Sequence, residues 1–297
     1  MILFTGASGF LGHNILPFLK RKYKVETIGL SIDDTYKINL AKEIPVFHNS
    51  YDIVLHAAGK AHSIPKSLKE EKVFFQVNLQ GTINLCKALE KKDLPKSLIF
   101  ISTVAVYGVE SGTDITEEHK LQGNTPYALS KIHAEEYLQE WCYKNGVTLG
   151  ILRPSLIAGK NPPGNLGVMI KGIKTGKYFR IGNGSARKSV LMAEDIARII
   201  PKLSEVGGTY NVCDDYHPSF AELEDLIAKQ LNKNTPVSIP YWAAKSIAKI
   251  GDVVGNKFPI NSSKLDKITN SLTFSNEKAK RDLNWKPLYI LENFKIS

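Results

Sequence analysis

The chain has 297 residues, 43% hydrophobic and 23% charged, with a formal net charge of +10. That length allows one large domain or two unequal ones, and the balance is that of a globular protein rather than a disordered or fibrous one. Three cysteines far apart, Cys86, Cys142 and Cys213, exclude a disulfide framework and fit a reducing, cytoplasmic compartment; the seven histidines show no metal-ligand spacing, so no metal is expected.

The chain opens on an apolar strand, Met1 to Phe4, that runs into Thr5-Gly6-Ala7-Ser8-Gly9-Phe10-Leu11-Gly12 and then an amphipathic helix, Leu11 to Lys20. Glycines at Gly6, Gly9 and Gly12 let the backbone turn sharply and approach a pyrophosphate, whose charge then sits at a helix N-terminus. The turn nominates a dinucleotide, because a strand precedes it and a helix follows. Lys20-Arg21-Lys22 comes after the apolar stretch, and glycines with His13, Asn14 and Pro17 interrupt it, so no signal anchor is expected there. No other stretch is long enough to span a bilayer, so no membrane partner is expected. A strand follows from Lys24 to Leu30, then a short apolar run, Asp52 to His56, ending in Ala57-Ala58-Gly59. Glu71 to Glu90 has helical spacing, Ser97 to Ser102 reads as a strand, Thr125 to Asn145 as a long helix and Val147 to Leu152 as another strand.

Apolar strands separated by helices predict a parallel sheet covered on both faces: an α/β, Rossmann-like doubly wound fold. After Arg153-Pro154 the chain turns rich in Gly, Pro and Asn over residues 159–186, Val190 to Ile200 and Thr209 to Val212 are expected to return to the sheet, and the rest is helical and polar. The predicted division is a dinucleotide domain from 1–158 plus about 187–213, and a smaller, interleaved C-terminal substrate lobe from about 159–186 plus 214–297. The charge excess favours anionic partners; no basic arm or aromatic-basic motif accompanies it, so nucleic acid is not expected.

Tyr127 and Lys131 stand four residues apart near the start of the long helix and share one face. A cation beside a phenol favours the phenolate, which suits proton exchange near neutral pH. Tyr241 and Lys245 repeat that spacing in the C-terminal lobe and read as a surface pair. Ser102-Thr103, at the end of a buried-type strand, can place a hydroxyl rigidly beside the tyrosine.

Taken in order, Gly6 to Gly12, Leu55-His56-Ala57-Ala58-Gly59, Asn78 to Gly81-Thr82, Ser102-Thr103 to Tyr107-Gly108, Tyr127 with Lys131, Arg153-Pro154 and Asn284-Trp285-Lys286-Pro287 resemble the extended short-chain dehydrogenase/reductase family, in its nucleotide-sugar epimerase/dehydratase branch. The resemblance implies that Tyr127 is the general acid/base, that Lys131 binds the nicotinamide ribose and lowers the Tyr127 pKa, and that Thr103 bonds the reacting sugar oxygen. It implies a cofactor, NAD ahead of NADP, held by Gly6, Ser8, Gly9, Phe10, Leu11, Gly12, His56, Ala57, Ala58, Gly59, Asn78 and Lys131. Ser31 stands where the family has an acid on the adenosine ribose, which leaves NAD and NADP both open, and Asn39-Leu40 stand where adenine is contacted.

Sugar 4,6-dehydratases of the family carry Asp-Glu directly after the catalytic Thr; here Val104 and Ala105 follow it, so dehydration is disfavoured. The resemblance points to a 4-epimerase acting on a UDP-sugar for polysaccharide synthesis, with a 4-keto sugar reductase as the alternative and a non-catalytic dinucleotide-binding regulator behind both. Asn165, Lys188 and Arg187 match positions that hold the nucleotide diphosphate. Family members often form a homodimer through the helices matching Glu71 to Glu90 and Thr125 to Asn145, and that state is expected here.

Overall fold

The apolar runs become seven parallel strands in the computed structural model, which describes residues 1–61, 63–254 and 260–296. Residues 255–259 and 297 of the expected lobe lie outside the described residues. The strands are β1 (Ile2–Thr5), β2 (Val25–Gly29), β3 (Tyr36–Lys37), β4 (Ile53–His56), β5 (Ser97–Ile101), β6 (Thr148–Pro154) and β7 (Gly208–Val212). Their order is β7-β6-β5-β4-β1-β2-β3. The order reverses between β1 and β4, where ligands of such sheets bind at the carboxyl ends of the strands.

Successive side chains point to opposite faces, so each strand feeds two cores. Ile2 and Phe4 join Ile15, Leu19, Ile196, Ile200 and Leu203 on one face. Leu3 joins Val54, Leu85, Leu89, Phe100, Leu138 and Trp141 on the other. Helices Phe10–Lys20 and Ala193–Val206 cover the first face; Gly81–Glu90 and Pro126–Asn145 cover the second. The long helix starts where Thr125 Oγ1 accepts the Ala128 amide at 3.1 Å and Pro126 occupies its first position, and it stops at Gly146 with φ 66°.

Two expectations are corrected. Val190–Met192 does not rejoin the large sheet; it pairs in parallel with Leu156–Ala158. The residues after it form the helix Ala193–Val206, because Ile196, Ile199, Ile200 and Leu203 recur at helical spacing and are buried together. Thr209 to Val212 does enter the sheet, within β7. The helical run expected from Glu71 begins earlier, at Leu68, where Ser67 Oγ accepts the Glu70 amide, and it passes through a π-helical turn at Gln76–Gln80. A separate core of Leu166, Met169, Ile173, Leu223, Ile227, Ile290 and Phe294 lies among the later elements. The last segment is tied back to the body: Trp285 Nε1 donates to the Cys213 carbonyl at 2.9 Å, and Asp195 and Asp214 accept the amides of Leu288 and Ile290.

A buried polar network joins the carboxyl ends of three strands. Arg153 at the end of β6 donates to both oxygens of Glu135, at 3.2 and 2.5 Å, with both side chains almost wholly buried. Ser102, just beyond β5, donates to the same carboxylate. Arg153 also donates to Tyr107 Oη at 3.1 Å, and Tyr107 donates to Asn211 Oδ1 on β7 at 2.6 Å. Removing one partner leaves the other charge buried and unpaired, which costs about 3–5 kcal/mol. Glu135→Ala is therefore expected to lower unfolding stability by about that much in urea titration; a loss below ~1 kcal/mol would contradict the role given to the pair.

The first turn is constrained as tightly. Gly6 has φ +80°, and a Cβ there would stand 2.7 Å from the Ala58 amide nitrogen, whereas a Cβ on Gly9 would meet only the Gly6 carbonyl at 3.3 Å. Gly6→Ala is expected to cost about 1–3 kcal/mol in strain alone, plus the clash. Gly9, at φ −82°, already has a backbone that any residue adopts, so Gly9→Ala should leave the urea midpoint close to wild type. Equal losses in the two variants would contradict this assignment.

Candidate active site

The turn from β1 presents Ser8 and Gly9 to solvent at the start of the helix Phe10–Lys20. No side chain caps that helix, so its first amide groups are left without a side-chain partner and suit an anion. Gly12 is buried, and a Cβ there would stand 2.3 Å from the Ala7 carbonyl oxygen, so this glycine seats the helix against its own turn. Phe10 and Leu11 are half-buried, with Leu11 packed on the first core. These features fit a dinucleotide pyrophosphate: an open glycine, unpaired amides and no carboxylate in the first helical turn.

The end of β4 is held from behind. His56 is fully buried between Thr5 Oγ1 at 2.7 Å and Thr82 Oγ1 at 2.8 Å, and Thr5 Oγ1 also accepts the Ala58 amide at 3.0 Å. Burial, with the Lys131 charge second, pushes the imidazole down to about 3, so it stays neutral. The His56 side chain braces the Ala57-Ala58-Gly59 segment from behind, so a cofactor contact at this residue would come from its backbone.

Thr103, Tyr127 and Lys131 come together at the ends of β5 and the long helix. Thr103 is half-buried, and its hydroxyl accepts the Ala105 amide at 3.2 Å. Burial raises the Tyr127 phenol above its ordinary value, and the nearby Thr103 hydroxyl works against that rise. Lys131 Nζ donates to the Ile101 carbonyl at 2.8 Å and lies 4.4 Å from the Phe100 ring centroid. Burial brings its ammonium down to about 8, with Glu135 one helical turn away favouring the charge. A Cβ on Gly59 would stand 3.3 Å from Lys131 Nζ and 3.1 Å from Asn78 Oδ1, so the missing side chain keeps that corner open. Asn78, buried on the π turn, accepts the Lys60 amide at 2.7 Å and donates to the Lys60 carbonyl and to Ser130 Oγ. It locks the loop after β4 onto the helix carrying Tyr127, a positioning task with every polar atom of the amide engaged.

At the far end, Ser31 is half-buried two residues beyond β2 and is not without acids. Its amide donates to Asp34 Oδ2 at 2.9 Å, and its hydroxyl accepts the Asp33 amide at 3.3 Å. Asp34 lies so close to Gly29 that a Cβ there would stand 2.5 Å from its carboxylate. The chain folds back to supply, three residues later, the carboxylate that Ser31 lacks; the Asp33-Asp34 pair was the available signal. Asn39 Oδ1 accepts the Ala41 amide at 3.1 Å, so that oxygen serves its own turn. Leu40 is buried in the second core, and its carbonyl accepts from Asn84.

The diphosphate positions separate. Arg187 donates to the His217 carbonyl at 2.6 Å and lies 5.3 Å from the Tyr216 ring centroid, so it is committed to its own lobe. Lys188 is half-buried and makes no ion pair among the described residues. Burial brings it down to about 8, with Glu110 favouring and Lys267 opposing the charge. Asn165 is exposed at the second residue of the helix Gly164–Lys174 and is not hydrogen-bonded to the Thr103–Tyr127–Lys131 group. Ser130, Glu135 and Arg153 support that group without having been nominated for it. Glu135 could have been found from its position four residues after Lys131.

Known proteins place the chain. It is 28% identical over 93% of its length to an N-acetyl-alpha-D-glucosaminyl-diphospho-ditrans,octacis-undecaprenol 4-epimerase of Escherichia coli O157:H7, covering 88% of that protein. It is 27% identical to a UDP-glucose 4-epimerase of Vibrio cholerae, covering 99% of this chain and 93% of that one. A GDP-6-deoxy-D-mannose reductase of Pseudomonas aeruginosa is 26% identical, over 75% of this chain and 78% of that one. In fold it resembles a Thermus thermophilus UDP-glucose 4-epimerase in complex with NAD, at TM-score 0.73 and 20% identity over 99% and 96% of the two chains. It also resembles RMD from Pseudomonas aeruginosa complexed with NADPH, at TM-score 0.74 and 22% identity over 99% and 96%. Residues 2–213 match the family model described as the NAD dependent epimerase/dehydratase family, and with its doubly wound sheet and glycine turn the chain belongs to that family.

Proposed function

We propose that this chain is a 4-epimerase of a diphosphate-linked sugar, UDP-linked in the first instance, with Tyr127 as acid/base, Thr103 as the hydroxyl that holds the reacting oxygen and Lys131 as the buried cation behind them. The observation that carries the reading is that Thr103 acts on the Tyr127 phenol while Lys131, one helical turn on, is held at the Ile101 carbonyl, with Val104 and Ala105 where an eliminating enzyme would need a second acid and base. A dinucleotide held at the Gly6–Gly12 turn would supply a hydride acceptor and donor and, when oxidised, a positive ring that favours the phenolate. Tyr127 takes the proton of the C4 hydroxyl as the C4 hydride departs, and returns it when hydride comes back to the opposite face of the keto sugar. Thr103 keeps that oxygen within reach of the phenol. Lys188, whose half-buried ammonium has no ion-pair partner among the described residues, is the proposed diphosphate contact; Arg187 holds His217 instead.

Incubation with oxidised dinucleotide and UDP-glucose or UDP-N-acetylglucosamine is expected to interconvert the 4-epimers with no net reduced cofactor, and Tyr127→Phe should cut the rate about 100- to 10,000-fold. Stoichiometric oxidation of reduced cofactor by a 4-keto sugar, without isomer exchange, would replace this reading with the reductase. Presenting the same sugar on a polyprenyl diphosphate in place of UDP tests the carrier.

The Asp34 carboxylate at Ser31 and Gly29 supports NAD over NADP, because a 2′-phosphate placed there would face a like charge. Asp34→Ala is expected to improve NADP affinity relative to NAD by about tenfold, read by cofactor titration, a change worth ~1.4 kcal/mol. An unchanged ratio would remove Asp34 from cofactor selection.

A further inference from the structure

The helix Tyr241–Val254 is packed the wrong way round for a helix that faces only water. Its buried residues are small, Ala244, Ala248 and Gly251, set against Leu265 of the helix Ser262–Thr269. Its large apolar side chains point out: Trp242 is 73% exposed, Ile250 56%, Val253 89% and Val254 57%, with Ile247 at 39%. At about 100° per residue these five fall on one arc opposite the buried alanines, and Lys245 and Lys249 border it. Ser246, the polar residue within the arc, has its hydroxyl bonded back to the Trp242 carbonyl at 3.0 Å. The helix's single acid, Asp252, is turned to the Ser262 amide at 2.9 Å and hydroxyl at 2.5 Å. The outward face is therefore apolar, edged by Lys245 and Lys249, with the exposed Asp252 carboxylate beside that edge bonded to Ser262.

We infer that this face lies on an anionic membrane surface, with Trp242, Ile250 and Val253 in the headgroup boundary and Lys245 and Lys249 against lipid phosphates. An amphipathic helix with that division binds in the plane of the interface, and the chain's net charge of +10 acts in the same sense. Fourteen residues of helix span roughly 21 Å, short of a hydrocarbon core. No described helix is long and apolar enough to cross a membrane, so this one would lie on it. The expectation of no membrane partner rested on spanning segments and leaves this mode open. The helix also borders the lobe's cleft: Tyr241 lines a cavity of about 320 Å³ with Gly184, Ala186 and Asn270, directly before Arg187 and Lys188. Membrane contact would hold that edge of the lobe at the bilayer, whatever reaction the chain performs.

Three tryptophans make the test selective, since Trp141 and Trp285 are buried at 6% and 4% exposure while Trp242 is open. The full chain is mixed with phosphatidylcholine vesicles, with and without phosphatidylglycerol, carrying brominated acyl chains. The expected result is flotation with the anionic vesicles, weakened by salt, with quenching of tryptophan emission that Trp242→Phe abolishes. Ile250→Glu and Val253→Glu, at exposed positions that leave the fold intact, should each weaken vesicle binding about tenfold or more, and Lys245→Glu with Lys249→Glu should remove the preference for anionic lipid. Absence of binding to either vesicle, binding that Ile250→Glu leaves unchanged, or a wild-type dimer in sedimentation that Ile250→Glu dissociates would each overturn the inference, the last in favour of self-association.

Discussion

The geometry of the candidate site depends on the buried pair between Glu135 and Arg153. Thr103 comes from the end of β5, Tyr127 and Lys131 from a helix on one face of the sheet, and Arg153 from β6, so nothing local keeps them in register. Glu135 sits one turn after Lys131 and receives Arg153 and Ser102 together, which fixes the helix against the two strand ends that flank the tyrosine. A buried ion pair is weak evidence for net stability, since desolvation offsets much of its attraction. Its value here is positional: Ser102 is covalently next to Thr103, and Arg153 passes the constraint on to Tyr107 and, through it, to Asn211 on β7.

That framework explains the electrostatics of the reacting groups. Lys131 is buried, yet its charge is favoured by Glu135 at the next turn, and its ammonium rests on the Ile101 carbonyl and the Phe100 ring. Tyr127 has only the Thr103 hydroxyl working for its charged form, so its phenol stays protonated at neutral pH. In the proposed reaction, an oxidised dinucleotide ring beside the phenol would favour its charged form. His56 is kept neutral by the same burial, which lets it join Thr5 and Thr82 without adding a second charge near Lys131.

Much of the fold was legible in the sequence because its signals are local. The Gly6 to Gly12 turn, the apolar run of β1 and the four-residue step from Tyr127 to Lys131 follow from local sequence and backbone geometry alone. What local signals leave open depends on what the chain meets after folding. Val190 to Ile200 has apolar residues enough for a strand followed by a helix, and only the partner strand Leu156–Ala158 decides where the first part pairs. Ser31 reads as a missing acid until the loop brings Asp34 back to it. Arg187 reads as a free cation until His217 takes it. His56 sits in a ligand-binding stretch by sequence and behind it in space. Tyr241 with Lys245 has the same spacing as the nominated pair, yet it opens a helix whose apolar side faces outward. Spacing identifies which side chains share a face, and tertiary packing decides what that face meets.

In the proposed reaction, hydride leaves and returns at one sugar carbon while Tyr127 handles the proton on its oxygen. The direct measurement is turnover of a UDP-sugar carrying deuterium at C4, followed in ordinary water by mass and NMR. Transient oxidation at a retained dinucleotide predicts that both epimers keep the label at C4 and that turnover slows with the heavier isotope. Loss of the label to solvent would mean proton abstraction at carbon, and would contradict the account.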